Sequence, residues 1–183
     1  MANRIFLDGC AQHLWAGDLV WASDNIKMLG ASAGYTPNTA AGGDQFLTAI
    51  AGGNIVCTSP NFTTKSNVSG VLKADNPVFT SVSGSTITQF VVYNDTGTGA
   101  TSELLIEYDT ASGGLPVVPN GGNITFQFAG SPNFVLGAAF AGLSTSEKQR
   151  LKQLWRRFRD SLVMDISPSG IWIPEPRIVQ ELP

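Results

Sequence analysis

"ITQFVVYNDTGTGATSELLIEYDTASGGLPVVPNGGNITFQF", Ile87 to Phe128, contains three runs with strand composition, joined by two segments made almost wholly of turn residues. In the last run Ile124, Phe126 and Phe128 fall on one face and Asn123, Thr125 and Gln127 on the other, the period of a half-buried strand. In the middle run Leu104, Ile106 and Tyr108 alternate with Glu103, Leu105 and Glu107. The first run, 86–93, is β-branched and aromatic on both faces, which predicts a central strand covered on both sides. Between them, "NDTGTGATS", "TASGGLP" and "PNGGN" supply Asn, Asp and Gly for positive φ and Pro to preset turns. The stretch contains no His, Cys, Lys or Arg.

Outward from this stretch the same pattern recurs. Further strands are expected at 25–29, 54–58, 70–73, 78–82 and 134–139, and a short inserted helix at 44–51 with Asp44 as its N-cap. Many short strands at this spacing predict an all-β fold, a β-sandwich or jelly-roll-like domain over residues 1–143. Up to Leu143 there are four basic and nine acidic side chains; Ser144 to Pro183 has seven basic and five acidic. The sign of the net charge therefore changes at this boundary, and so does the periodicity. Ser144 and Glu147 form a capping-box pattern, and Leu151, Leu154, Trp155, Phe158 and Leu162 follow at helical spacing, predicting an amphipathic helix over 145–163. Its other faces carry Lys148, Arg150, Lys152, Arg156, Arg157 and Arg159. The closing "SPSGIWIPEPRIVQELP" has four prolines around an apolar knot of Ile171, Trp172 and Ile173 and reads as an extended arm.

Composition narrows the function classes. Charged residues make up only 14 % of the chain, and 20 Gly and 10 Pro are dispersed along it, which suits a folded, turn-rich protein. The N-terminal segment lacks an apolar core of signal-peptide length, and no stretch approaches a membrane span, so a soluble protein made in a cytoplasm is expected. On that expectation the sequons at Asn61, Asn67, Asn94 and Asn123 are turn chemistry. Cys10 and Cys57 are too few and too far apart for a zinc signature and read as two half-buried thiols.

Candidate chemistry is sparse. His13, the sole histidine, has Asp18, Ser23 and Asp24 near it in sequence but no nucleophile-elbow motif, and a packed or surface histidine is the plainer reading. Glu103 and Glu107 on one strand stand about 13 Å apart, too far for a glycosidase pair, and read as a solvated face. The clusters "AAGGD", "AGGN" and "NGGN" lack phosphate-loop spacing. Asn94, Asp95 and Asp109 offer oxygens at loop tips without a calcium-ligand ladder. No catalytic, cofactor or metal residue is assigned. A basic helix suits nucleic acid or an anionic membrane, but its cations are not interleaved with exposed aromatics and its apolar stripe needs burial. The partner expected is therefore protein, with neither nucleic acid nor membrane involved.

The ordered set "WASDNIKMLG", "GYTP" with "GDQFLTAI", "KADNPVFTSVSG", "QFVVYNDTGTGATSELLIEYD" and "GLPVVPNGGNITFQF" resembles a family of small virion proteins of tailed bacteriophages, over about Trp15 to Leu136. The resemblance implies a mainly β structural subunit of the particle, without catalytic residues. After Phe140 this chain departs from the pattern by adding the basic helix and the arm. The expectation is a capsid decoration, or cement, protein on the outer head surface. Its partners would be the major capsid protein and further copies of itself, as a homotrimer or other small oligomer, contacted through Trp155, Arg156, Arg157, Phe158, Ile171, Trp172 and Ile173. A tail, neck or head-fibre component is the alternative within the particle. A carbohydrate- or cell-surface-binding module using Trp15, Trp21 or Trp172 as a stacking platform is the alternative of another class.

Overall fold

Apolar side chains on both faces of a strand require cover from both sides, and the run at Ile87 has it. The computed structural model describes residues 3–11, 13, 16–68, 71–111, 114–128, 134–138, 171–172 and 177–180. Among them the strands are β1 (Arg4–Ile5), β2 (Ile26–Ser32), β3 (Ile55–Thr58), β4 (Ser66–Val68), β5 (Val71–Lys73), β6 (Val78–Phe79), β7 (Ile87–Asn94), β8 (Glu103–Tyr108), β9 (Ile124–Gln127), β10 (Phe134–Ala138), β11 (Ile171–Trp172) and β12 (Arg177–Gln180). All pairings are antiparallel. They make a five-stranded sheet ordered β1-β8-β7-β2-β3, a four-stranded sheet β11-β10-β5-β4 and a three-stranded sheet β12-β9-β6. Helix is confined among these residues to short turns, chiefly a π-helical turn at Leu7–Ala11 and 3-10 turns at Leu47–Ala49 and Gly52–Asn54. The fold is all-β, as the sequence predicts.

The layers follow from two apolar clusters. On one face of the large sheet Ile26, Met28, Phe90, Val92, Ile106 and Tyr108 pack with Leu72 of β5, Phe79 of β6 and Ile124 and Phe126 of β9. The smaller sheets thus supply one lid of a sandwich-like arrangement. On the opposite face Phe6, Leu29, Ala31, Val91, Tyr93 and Leu104 are covered by Tyr35, Leu47 and Ile50 from the β2–β3 connection. A chain of edge-on rings runs through the first cluster, from Trp21 to Phe62 and Phe128, then through Phe126 to Phe90 and Tyr108. Such ring pairs each add about 0.5–1.5 kcal/mol beyond their buried area.

Three expectations are corrected. Residues 44–51 do not form a helix capped by Asp44. The 3-10 turn Leu47–Ala49 has Phe46 in the flanking position without a side-chain cap, while Asp44 accepts hydrogen bonds from the Tyr35 hydroxyl (2.8 Å) and the Asn38 amide (2.9 Å). The carboxylate is spent on closing the loop. The alternation of β8 is broken as well: its register against β7 shifts between Val92 and Tyr93, so Leu104 enters one cluster while Leu105, Ile106 and Tyr108 enter the other. Glu107, expected on a solvated face, is buried at 1 % exposure, because the face on which it pairs with Val91 is itself covered.

The C-terminal segment is extended where it is described, but it pairs with its own body. β11 runs beside β10 with Gly137 opposite Trp172, and β12 runs beside β9 with Thr125 opposite Val179. The predicted helix over 145–163 lies outside the described residues.

Candidate functional site

Of the side chains expected to bind a partner, Trp155, Arg156, Arg157, Phe158 and Ile173 lie outside the described residues, and Ile171 and Trp172 constitute β11. The remaining candidates are the ionisable groups of the sheet, the hydroxyl-rich loops and the open sheet edges.

The ionisable groups are engaged within the fold. Arg4, on the short edge strand β1, grips Glu107 with two hydrogen bonds, Nε to Oε2 at 3.0 Å and Nη2 to Oε1 at 3.1 Å. Asp109, two residues along, stands 3.5 Å from the same guanidinium, and both its oxygens are buried without a hydrogen bond. Burial pushes the Glu107 carboxyl up to about 7, outweighing the opposing pull of Arg4, and the Asp109 charge adds to the rise. Lys27 meets Asp95 at 2.5 Å and holds its carboxyl below the ordinary value.

His13 Nε2 lies 2.7 Å from Glu103 Oε1 without hydrogen-bond geometry, and Nδ1 lies 3.7 Å from Asp18. Ser23, the hydroxyl nearest to it in sequence, donates to the Val20 carbonyl, and Asp24 accepts from the Val20 amide. Cys10 and Cys57 are free thiols, Cys10 buried and Cys57 half-buried, and burial raises both, Cys10 to about 12 and Cys57 to about 11. Thiols so protonated are poor nucleophiles at neutral pH.

The loop after β7 closes on itself. Asp95 accepts from the Gly97 amide, Ser102 Oγ accepts from the Thr96 amide and donates to the Thr98 carbonyl, and the Thr96 and Thr101 hydroxyls meet at 2.5 Å. Asp95 and Asp109, offered by the sequence as loop-tip oxygens, are instead paired with Lys27 and Arg4, and no group of three or more metal-ligating side chains occurs among the described residues. Trp21 is 2 % exposed, with its indole N–H donated to the Lys73 carbonyl, so it belongs to the core and is no part of a stacking platform.

The sheet edges are the feature that periodicity alone does not reveal. β3 ends the large sheet and β6 ends the three-stranded one, and between them Val56–Pro60 and Phe79–Ser83 line a groove of about 370 Å³ containing no charged side chain. The other end of the three-stranded sheet, and one end of the four-stranded sheet, are occupied by β12 and β11 from the C-terminal segment. Its register with β9 was not legible from "RIVQ", a run too short to announce its partner. Searches for similar proteins found no matching family model and no matching curated protein.

Proposed function

We propose that this protein is a structural subunit of a tailed-phage particle, a decoration or cement protein that binds the outer head surface as a small homo-oligomer. Its layers form a β-sandwich in which the five-stranded sheet is the rigid plate. The observation that carries the reading is that this sheet is buried on both faces, while its Lys27, Arg4 and β7–β8 loop polar groups are consumed internally. Such a plate works by area and shape complementarity. The motif order along residues 15–136 supports the same assignment, and the reading assigns no catalytic residue, cofactor or metal.

The sandwich faces the lattice or a neighbouring copy, and the basic C-terminal region meets an acidic protein surface, neither nucleic acid nor membrane. A tail, neck or head-fibre location uses the same plate at lower copy number. The stacking-module alternative loses support, because Trp21 lies in the core.

Quantitative mass spectrometry of purified particles tests the proposal. A ratio to the major capsid protein near one is expected for decoration. A ratio of a few per cent moves the protein to neck, tail or fibre, and absence from particles overturns the virion assignment.

A further inference from the structure

β1 covers the outer edge of β8 with two residues, Arg4 opposite Glu107 and Ile5 opposite Ile106, whereas β7 holds the inner edge of β8 along five pairs. So short a ladder needs reinforcement, and charge supplies it. The Arg4 guanidinium donates to both Glu107 oxygens, at 3.0 and 3.1 Å, and stands 3.5 Å from Asp109 just past the end of β8.

The balance of this cluster is uneven. Two carboxylates meet one guanidinium, and the cation is 41 % exposed while Glu107 and Asp109 are 1 % and 6 % exposed. Both Asp109 oxygens are buried and accept no hydrogen bond. Fully ionised, the cluster would hold a surplus negative charge cut off from both water and a donor, which proteins avoid by neutralising one group. The packed elements do not supply the missing positive charge. β7 sets Val91 opposite Glu107, with the neutral Gln89 at the next position on that face. The β2–β3 connection brings a third acid, Asp44, held by the Tyr35 hydroxyl and the Asn38 amide. The Leu7–Ala11 turn carries Asp8, which accepts from the Gly42 amide. Because the Asp109 oxygens are closed off from solvent, the group that balances the charge is as small as a proton. In accord with this geometry, burial first, and then the Asp109 and Asp44 charges, raise the Glu107 carboxyl to about 7 against the pull of Arg4.

We propose that Arg4, Glu107 and Asp109 form a proton-operated latch on β1. With one proton shared between the two carboxylates the cluster is neutral and the strand lies closed on β8. When that proton passes to solvent, β1 lifts, water reaches both acids, and the outer edge of β8 is bared. The strand that yields is β1, because it has two pairs to lose and carries the half-solvated partner. The inference goes beyond the particle reading and does not depend on it.

Amide hydrogen exchange of the full chain between pH 5 and 8 tests the latch, with each rate divided by that of the unfolded chain at the same pH. The reporter is Phe6, whose amide donates to the Leu105 carbonyl at 3.0 Å beside β1. Met28 and Ile87, whose amides donate to the Ser59 hydroxyl and the Val117 carbonyl, report on the middle of the sheet. Protection at Phe6 should be lower than at either and insensitive to dilute urea, as for a local opening. It should fall about tenfold per pH unit up to about pH 7 and then level, the slope of one linked proton. Glu107→Gln should make the profile flat, and Asp109→Asn, which removes the surplus charge, should move the fall to lower pH. Three results would overturn the latch. Phe6 protection that ignores pH removes the proton, and protection equal to that of Met28 and Ile87 means the sheet opens as a whole. A slope unchanged by Asp109→Asn assigns the effect to the burial of Glu107 alone. The parent profile can overturn the proposal by itself, so the test stands even where one variant fails to fold.

Discussion

Glu107 is 1 % exposed and bound by a guanidinium that is itself 41 % exposed. The desolvated charge gains less from this half-solvated partner than burial costs it, so its carboxyl rises from the ordinary value of 4.5 to about 7. Ionisation is therefore harder in the folded protein than in the unfolded chain. The stabilisation from the protonated form is fully present below about pH 4.5 and is lost as pH rises through about 7, an effect of about 3 kcal/mol. Asp95, lowered by Lys27, acts in the opposite sense, its contribution being lost as pH falls through its folded pKa. Glu107→Gln fixes the neutral form. The expected outcome is a flatter dependence of Tm on pH between 5 and 8, with the variant at least as stable as the parent at pH 8, measured by calorimetry across that range. A parallel profile with uniformly lower Tm would mean that the ionised pair, not its desolvation, dominates. Strict alternation gave no warning of this residue, because the cover of both faces of the sheet is a tertiary fact.

At the scale of elements, strong local patterns survived and weak ones were overridden. β7, β8 and β9 appear within a residue of the positions read from 86–93, 103–108 and 123–128, since β-branched and aromatic runs bounded by Gly and Asn leave little choice. The predicted helix at 44–51 failed because its capping residue found better use: Asp44 holds Tyr35 and Asn38, and Leu104 donates its amide to the Gln45 carbonyl, tying this segment to β8. The turn Leu7–Ala11 presses on the same place. A Cβ on Gly9 would stand 2.0 Å from the Leu104 carbonyl oxygen and 3.1 Å from that of Gln45, both backbone atoms that cannot swing aside. Gly9→Ala must therefore push the turn off the sheet, with an expected loss of about 1–3 kcal/mol. Gly53→Ala, whose Cβ would meet nothing within 4 Å, is the control and should stay within about 0.5 kcal/mol in the same urea titration. Equal losses in the two variants would show that the contact over Leu104 is not what sets the cost.

For the whole molecule the question is whether the C-terminal segment belongs to the fold or to the assembly. The large sheet is closed on both faces by side chains that precede residue 129, among them the ring chain through Phe62, Phe126 and Phe128. The segment's described share is two short edge strands, joined to the rest by backbone pairing. Deleting residues 167–183 should thus leave a cooperatively folded body, with Tm lowered by a few degrees as the outer sides of β9 and β10 lose their partners. If the arm serves assembly, the deletion has a second and larger effect: the truncated protein sediments as a monomer and no longer saturates particles. The two effects separate because thermal unfolding reads the body and sedimentation reads the contact between copies. A truncated chain that keeps its oligomeric state and particle affinity would show the arm to be only a cover for its own sheet edges. A chain that does not fold at all would make it part of the core. Expected here is a body that folds, because its large sheet is already closed on both faces, and copies that part, because the deletion removes Ile171, Trp172 and Ile173, which the proposed assembly uses as contacts.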